Sequence, residues 1–283
     1  MTMCSDFTAE PLAGSAKQGG MYVLFEWPGG WSRDVLDGDT FSPQLSQQLK
    51  QKLNHVSFLL IRHPGREGRN VGKLHRCYLV WADRAVMELV LLENPEEILS
   101  LDLSGPGCNA GKLIDVPLAL ICTNGKRDVC CAVKGRPLAA ALHAEFGDEM
   151  VWEASHMKGH RFAPVTMLMP WAYSFGRMNS DVGRQMVLAA QQGKYFWPAN
   201  RGNGLLNPKE QVAELAVAKE LLVAGEELKY GDLRVNDQEV IHADGRRWNV
   251  SLVQEEVSGV VSSCGDSPKT STVWVAKTVT ATQ

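Results

Sequence analysis

The chain has 283 residues and a mass of 31.1 kDa, with 45% hydrophobic and 22% charged residues; these are globular values and exclude disorder as its main state. A formal net charge of -3 and a pI near 6.2 leave no overall basic field for nucleic acid or an acidic membrane surface. At about 150 residues per domain, the length points to roughly two domains.

No apolar run approaches the roughly 18 residues that a spanning helix needs, so no membrane association is expected. The first twenty residues lack the basic and apolar regions of a secretory signal. A reducing, cytoplasmic location is therefore expected. The seven cysteines (Cys4, Cys77, Cys108, Cys122, Cys130, Cys131 and Cys264) then stand outside a disulfide framework. Metal binding, catalysis and burial remain for them.

After a polar arm expected to be flexible (1–20), Met21–Trp27 reads as a strand. Phe41–Leu53 has a helical apolar rhythm, with Asp39 or Thr40 available as its cap. Strands follow at Val56–Ile61, Leu74–Trp81 and Val86–Leu92, and Asn94-Pro95 starts a short helix. The Gly- and Pro-bearing stretch Ser104–Gly111 reads as a linker.

Beyond it the order returns. Pro117–Cys122 is an apolar strand, a polar loop runs to Gly135, and Arg136–Phe146 reads as a helix stopped by Gly147. Val151–Ala154, Ala163–Leu168 and Ala172–Arg177 read as strands, and Asn179 or Ser180 caps a helix over Asp181–Gln192. The organisation expected is thus an N-terminal half (21–104), a second half (112–205) and a C-terminal extension (206–283). That extension holds an amphipathic helix at Lys209–Ala224, a hairpin turning at Asp244-Gly245, and a strand at Thr272–Val279.

An offset of 94 residues lays Arg33, Asp34 and Val35 on Arg127, Asp128 and Val129, and the first helix on the second. Two readings stand level: a degenerate duplication, and the element order that βαβ-rich domains share by chance.

Two loops of the second half concentrate potential ligands. CTNGKRDVCC (122–131) places eight residues between Cys122 and Cys131, and HMKGH (156–160) places three between His156 and His160. Each loop follows an apolar strand, and loops leaving the same end of a sheet can converge there. Two thiolates and two imidazoles make a four-ligand set for a soft metal centre. Zinc is one occupant, although structural zinc more often uses a tighter Cys pair. The wide loop also suits a bulkier group, such as a two-iron, two-sulfide rhomb. A thiol enzyme of thioredoxin type needs a CxxC that the chain lacks.

The stretches CTNGKRDVCC, VWEASHMKGHRFAP and MPWAYSFGRM resemble the sucrase/ferredoxin-like family, a branch of the thioredoxin-like ferredoxins. The resemblance is specific over about residues 115–200 and looser elsewhere. It implies an α/β fold: a thioredoxin-like ferredoxin domain, preceded by a thioredoxin-like half without ligands and followed by a small β-rich appendage. It implies a [2Fe-2S] cluster held by Cys122, Cys131, His156 and His160, with each loop serving one iron. Neutral imidazoles in place of thiolates raise the potential above that of an all-Cys cluster, and a ligand imidazole that titrates makes the potential fall with rising pH. An electron carrier is expected rather than a stand-alone enzyme: no GxGxxG in strand-helix context, no P-loop and no GxSxG is present. Its partners would be a separate reductase and an acceptor. A structural zinc module on the same four residues is the alternative. No paired carboxylates arranged for glycoside hydrolysis support the sucrase part of the name.

Around these ligands, Lys126, Arg127 and Lys158 are candidates to offset cluster charge or attract an acidic partner. Gly125 and Gly159 are candidates for backbone contacts to sulfide. Asp128 reads as a partner of Arg127 or a loop cap rather than an iron ligand. Cys130 is expected to turn away from its neighbour into the core, and Cys4, Cys77, Cys108 and Cys264 to be buried or bystanders.

Overall fold

The structure is a computed structural model and describes residues 2–70 and 72–282. The first half runs β1 (Met21–Glu26), α1 (Pro43–Lys52), β2 (Ser57–Arg62), β3 (His75–Trp81) and β4 (Val86–Leu92). β1 is apolar and buried along almost its whole length, because both faces of its sheet are covered. α1 turns Leu45 and Leu49 into the core. Its cap is Ser42, whose hydroxyl accepts from Leu45 N at 3.2 Å, rather than Asp39 or Thr40. Pro43 takes the first helical position, where its fixed φ suits the helix and its missing N–H costs nothing. Pro95–Ser100 is a 3₁₀ turn.

A two-residue strand, β5 (Lys112–Leu113), pairs with β4 before the second half begins. That half runs β6 (Leu118–Cys122), α2 (Val129–Met150), β7 (Val151–Ala154), β8 (Val165–Met169), β9 (Tyr173–Gly176), α3 (Ser180–Gln191) and β10 (Asn200–Asn203). The polar loop expected to reach Gly135 ends at Asp128. α2 starts there because the Asp128 carboxylate accepts from Cys130 N at 3.1 Å. Pro137 lies inside the helix, and Gly147 breaks it with φ +74°.

Ten strands form one mixed sheet, in the order β10-β9-β8-β6-β7-β2-β1-β3-β4-β5. One pairing scheme occurs twice in it. β1 lies parallel to β2 and antiparallel to β3, which pairs antiparallel with β4. β6 stands in the same relations to β7, β8 and β9. The two groups join where β2 meets β7, with Ile61 opposite Ala154 and Arg62 opposite Glu153. A constant offset of 94 lays helix on helix and β2 on β7. It fails for β3 and β4, because the connections after β2 and β7 differ in length.

The extension begins with α4 (Pro208–Val223), followed by β11 (Leu233–Asn236), β12 (Glu239–His242), β13 (Arg247–Val260) and β14 (Lys269–Thr282). These strands make a second, antiparallel sheet in chain order. The Asp244-Gly245 turn joins β12 to β13, with Gly245 at φ +96°. One core packs α2, α3 and α4 between the two sheets, one lies on the opposite face of the large sheet, and one surrounds α1. Among the described residues no helix is long and apolar enough to cross a membrane.

The N-terminal arm is anchored along its length. Gly14 N donates to Arg201 O at 3.0 Å, Gly19 N donates to Gly204 O at 2.9 Å, and Gln211 bonds both backbone groups of Ala16. Cys4 is buried at its far end.

Candidate metal centre

Cys122 is the last residue of β6 and pairs with Ala154, the last residue of β7. Because these strands are parallel, the turns that follow them leave the same edge of the sheet. The turn after β6 folds back on Asn124, whose carbonyl accepts from Arg127 N and Asp128 N. Its side chain donates to Ser32 O of the first half at 3.0 Å. Cys131 therefore enters on the first turn of α2 instead of in a loop, next to the positive end of the helix dipole. Gly135 brings this helix against the strand: a Cβ there would sit 2.1 Å from Cys122 O.

His156 follows β7, and its Nδ1 lies 3.9 Å from Cys122 Sγ. One donor atom each from Cys122, Cys131 and His156 falls within 4.8 Å of the other two. Both cysteines are buried. The Cys131 hydrogen bond, followed by His156, holds the Cys122 thiol below its ordinary range, whereas Cys122 and Cys130 push the Cys131 thiol up.

His160 opens a single 3₁₀ turn, and its ring stands 5.3 Å from that of His156, centroid to centroid. It lies outside the three-donor group. Its Nε2 instead meets Ser263 Oγ at 2.9 Å and Asp128 Oδ2 at 3.7 Å. Burial outweighs the nearby Asp128 charge and lowers the His160 pKa, which favours the neutral imidazole a metal needs. His156 Nε2 and His160 Nδ1 are buried and have no hydrogen-bond partner among the described residues. Unpaired buried polar atoms are rare and costly. Two thiols beside two such nitrogens fit a bound soft metal group.

The glycines and charges nearby have the following neighbours. Gly159 (φ +82°) leaves room for the Arg201 guanidinium, which a Cβ would approach to 2.3 Å. Gly125 faces Ala132 Cβ. Arg127 reaches Asp34 of the first half at 3.5 Å. Lys126 and Lys158 are exposed. Lys158 borders a cleft with His156, Lys17, Arg33, Lys50 and His55. Asp128 is a cap, as expected, and also accepts from Cys264 N at 2.9 Å; these bonds outweigh burial and hold its carboxyl well below the usual range.

Sequence reasoning missed the contributions from both chain ends. Cys4 from the arm, together with Ser263 and Cys264 from the tip of the β13–β14 hairpin, cover the start of α2. Cys130 is buried, and its thiol donates to His160 O at 3.1 Å and meets Cys4 Sγ at 3.6 Å, but it also still interacts with the Cys131 thiol. No spacing rule reaches across such separations.

The family model described as Sucrase/ferredoxin-like matches residues 12–202. The match spans the end of the arm and all of the first half, well beyond the region where motif resemblance is specific, and stops before α4. No curated protein and no solved structure matches the chain.

Proposed function

The chain belongs to the sucrase/ferredoxin-like family, and on that premise we propose that it is a one-electron carrier whose [2Fe-2S] cluster is held by Cys122, Cys131, His156 and His160. The bound cluster supplies reversible one-electron chemistry. The observation that carries the reading is the gathering of donor atoms from Cys122, Cys131 and His156 within 4.8 Å of one another, with the His160 ring 5.3 Å from that of His156. A single tetrahedral zinc needs all four donors within about 3.8 Å of one another. His160 stands outside the group that the other three form, which favours a two-metal group over one ion.

The remaining residues are assigned by what they touch. Ser263 and Asp128 orient His160 and hold a proton at its Nε2, the atom through which electron and proton uptake would be coupled. In the cleft at His156, Arg33 pairs with Asp34 and Lys50 with Asp37, which leaves Lys17 and Lys158 as the cations to meet an acidic redox partner, with a separate reductase and acceptor completing the path. The repeated pairing scheme supports two thioredoxin-like halves related by duplication, of which only the second kept ligands. The seven free cysteines suit a reducing cytoplasm.

The test is an absorption spectrum of anaerobically purified protein, with iron, sulfide and zinc assayed on the same sample. Visible charge-transfer bands with about two irons and two sulfides per chain are expected. A colourless protein with zinc on these four residues would replace the reading with a structural zinc module. His156→Cys and His160→Cys should shift the spectrum and lower the potential if both imidazoles are ligands.

A further inference from the structure

A second group of soft donors gathers beside the first from three remote parts of the chain. Cys4 Sγ lies 3.6 Å from both Cys130 Sγ and Cys264 Sγ. It lies 3.9 Å from each carboxylate oxygen of Asp128. One donor atom from each of Cys4, Asp128, Cys130 and Cys264 falls within 4.8 Å of the other three. Cys4, Cys130 and Asp128 are buried and Cys264 is half-buried.

We propose that these four residues bind one zinc ion, which staples the N-terminal arm and the tip of the β13–β14 hairpin onto the start of α2. The spacing suits the ion. With Zn–S near 2.3 Å, the edge between two sulfurs of a tetrahedral site is about 3.8 Å, and a sulfur–oxygen edge is about 3.6 Å. Three sulfurs favour zinc over magnesium or calcium. Asp128 is already oriented by the N–H groups of Cys130 and Cys264, the kind of outer hydrogen bond that fixes a ligating carboxylate. Binding releases the protons of the three thiols to solvent and leaves three thiolates and a carboxylate on the ion.

A disulfide explains less. It would use two of the three thiols and leave the third unused. The three segments are remote in sequence, and the arm also reaches α2 through the Asp6–Lys134 ion pair at 2.6 Å. Metal ligation between residues 4, 128–130 and 264 closes loops of more than a hundred residues, where a cross-link restricts the unfolded chain most. The ion would hold Ser263 in place over His160. The site shares no residue with Cys122, Cys131, His156 and His160, although it adjoins them through Cys130 and Asp128.

The experiment is metal analysis of full-length protein as purified and after dialysis against zinc, for wild type and for C4S, C264S and the double variant. Wild type should carry one zinc per chain that each variant loses, whatever iron the first site holds. If the first site held zinc instead, wild type would carry two and the variants one, so the two readings separate. Zinc content unchanged in the double variant overturns the staple, as does a zinc-free wild type with a disulfide between any two of the three cysteines. Should the double variant fail to fold, cobalt replaces zinc in wild-type protein. Thiolate charge-transfer bands of a tetrahedral site, absent in C264S alone, support the staple, and their persistence in C264S overturns it.

Discussion

Arg62 and Glu153 face each other in register across the strand pair that joins the two halves, and their side chains meet at 2.9 Å. Both are buried. Arg62 also donates to Gly29 O at 3.3 Å and lies 4.0 Å above the Trp31 ring. The pair thus ties β2, β7 and the turn after β1 at the seam of the sheet. Removing one partner leaves the other charge buried and alone, which costs about 3–5 kcal/mol. Glu153→Ala and Arg62→Ala are each expected to lower the unfolding free energy from urea titration by that much, and the double Arg62→Met, Glu153→Leu variant to recover a large part. A double variant no more stable than either single one would show that the seam rests on contacts other than this pair.

Gly135 sets the distance between α2 and the end of β6. Its replacement by alanine puts a methyl group 2.1 Å from Cys122 O, and backbone must move to relieve it. The cost is about 1–3 kcal/mol. Because the atom displaced belongs to Cys122, metal content is expected to fall further than stability does. Gly30→Ala, where a Cβ meets open space, should stay within about 0.5 kcal/mol of wild type with metal content unchanged. Equal metal content in both variants would uncouple Gly135 from the site.

The parts of the site legible in the sequence were those built by neighbours along the chain. The apolar runs at Leu118–Cys122 and Val151–Ala154 announce two strands, and their parallel pairing converges the following turns. The start of α2 was misread because Arg136-Pro137 imitates a helix start, whereas the Asp128 cap and the burial of Cys130 and Cys131 decide it. The closure of the site by Cys4, Ser263 and Cys264 was not legible, since it depends on where a long hairpin and an arm come to rest. The repeated pairing scheme survived loop-length changes that erase a constant sequence offset.

Glu214 lies in α4, buried among tyrosines. Tyr173 donates to its Oε1, and its Oε2 has no partner among the described residues. Burial pushes its carboxyl up to about 8, from 4.5. The folded state therefore holds the proton more tightly than the unfolded chain. That contribution is fully present below pH 4.5 and is lost as pH rises through about 8. The loss over the whole window is on the order of 5 kcal/mol at about 1.4 kcal/mol per pKa unit. Glu214→Gln should flatten this slope and make the protein more stable than wild type at alkaline pH. Parallel pH profiles of wild type and variant, from urea midpoints between acid and alkaline buffers, would show that Glu214 does not carry the dependence.

Ser263 reaches His160 across 103 residues of sequence, from the hairpin tip to the turn after β7. With His160 Nδ1 unpartnered among the described residues, the serine hydroxyl and the more distant Asp128 carboxylate face the ring's other nitrogen. Ser263→Ala removes that hydrogen bond and leaves Nε2 buried beside a methyl group, at a cost of about 1–3 kcal/mol. It also frees the ring to turn, so metal content or the metal-site spectrum should change, while Ser263→Thr should restore both. Proton inventory at Nε2 should change as well: the pH dependence of any metal-centred signal is expected to shift in Ser263→Ala and return in Ser263→Thr. A Ser263→Ala protein with wild-type stability, metal content and pH profile would mean that the hairpin tip only covers His160 and does not position it.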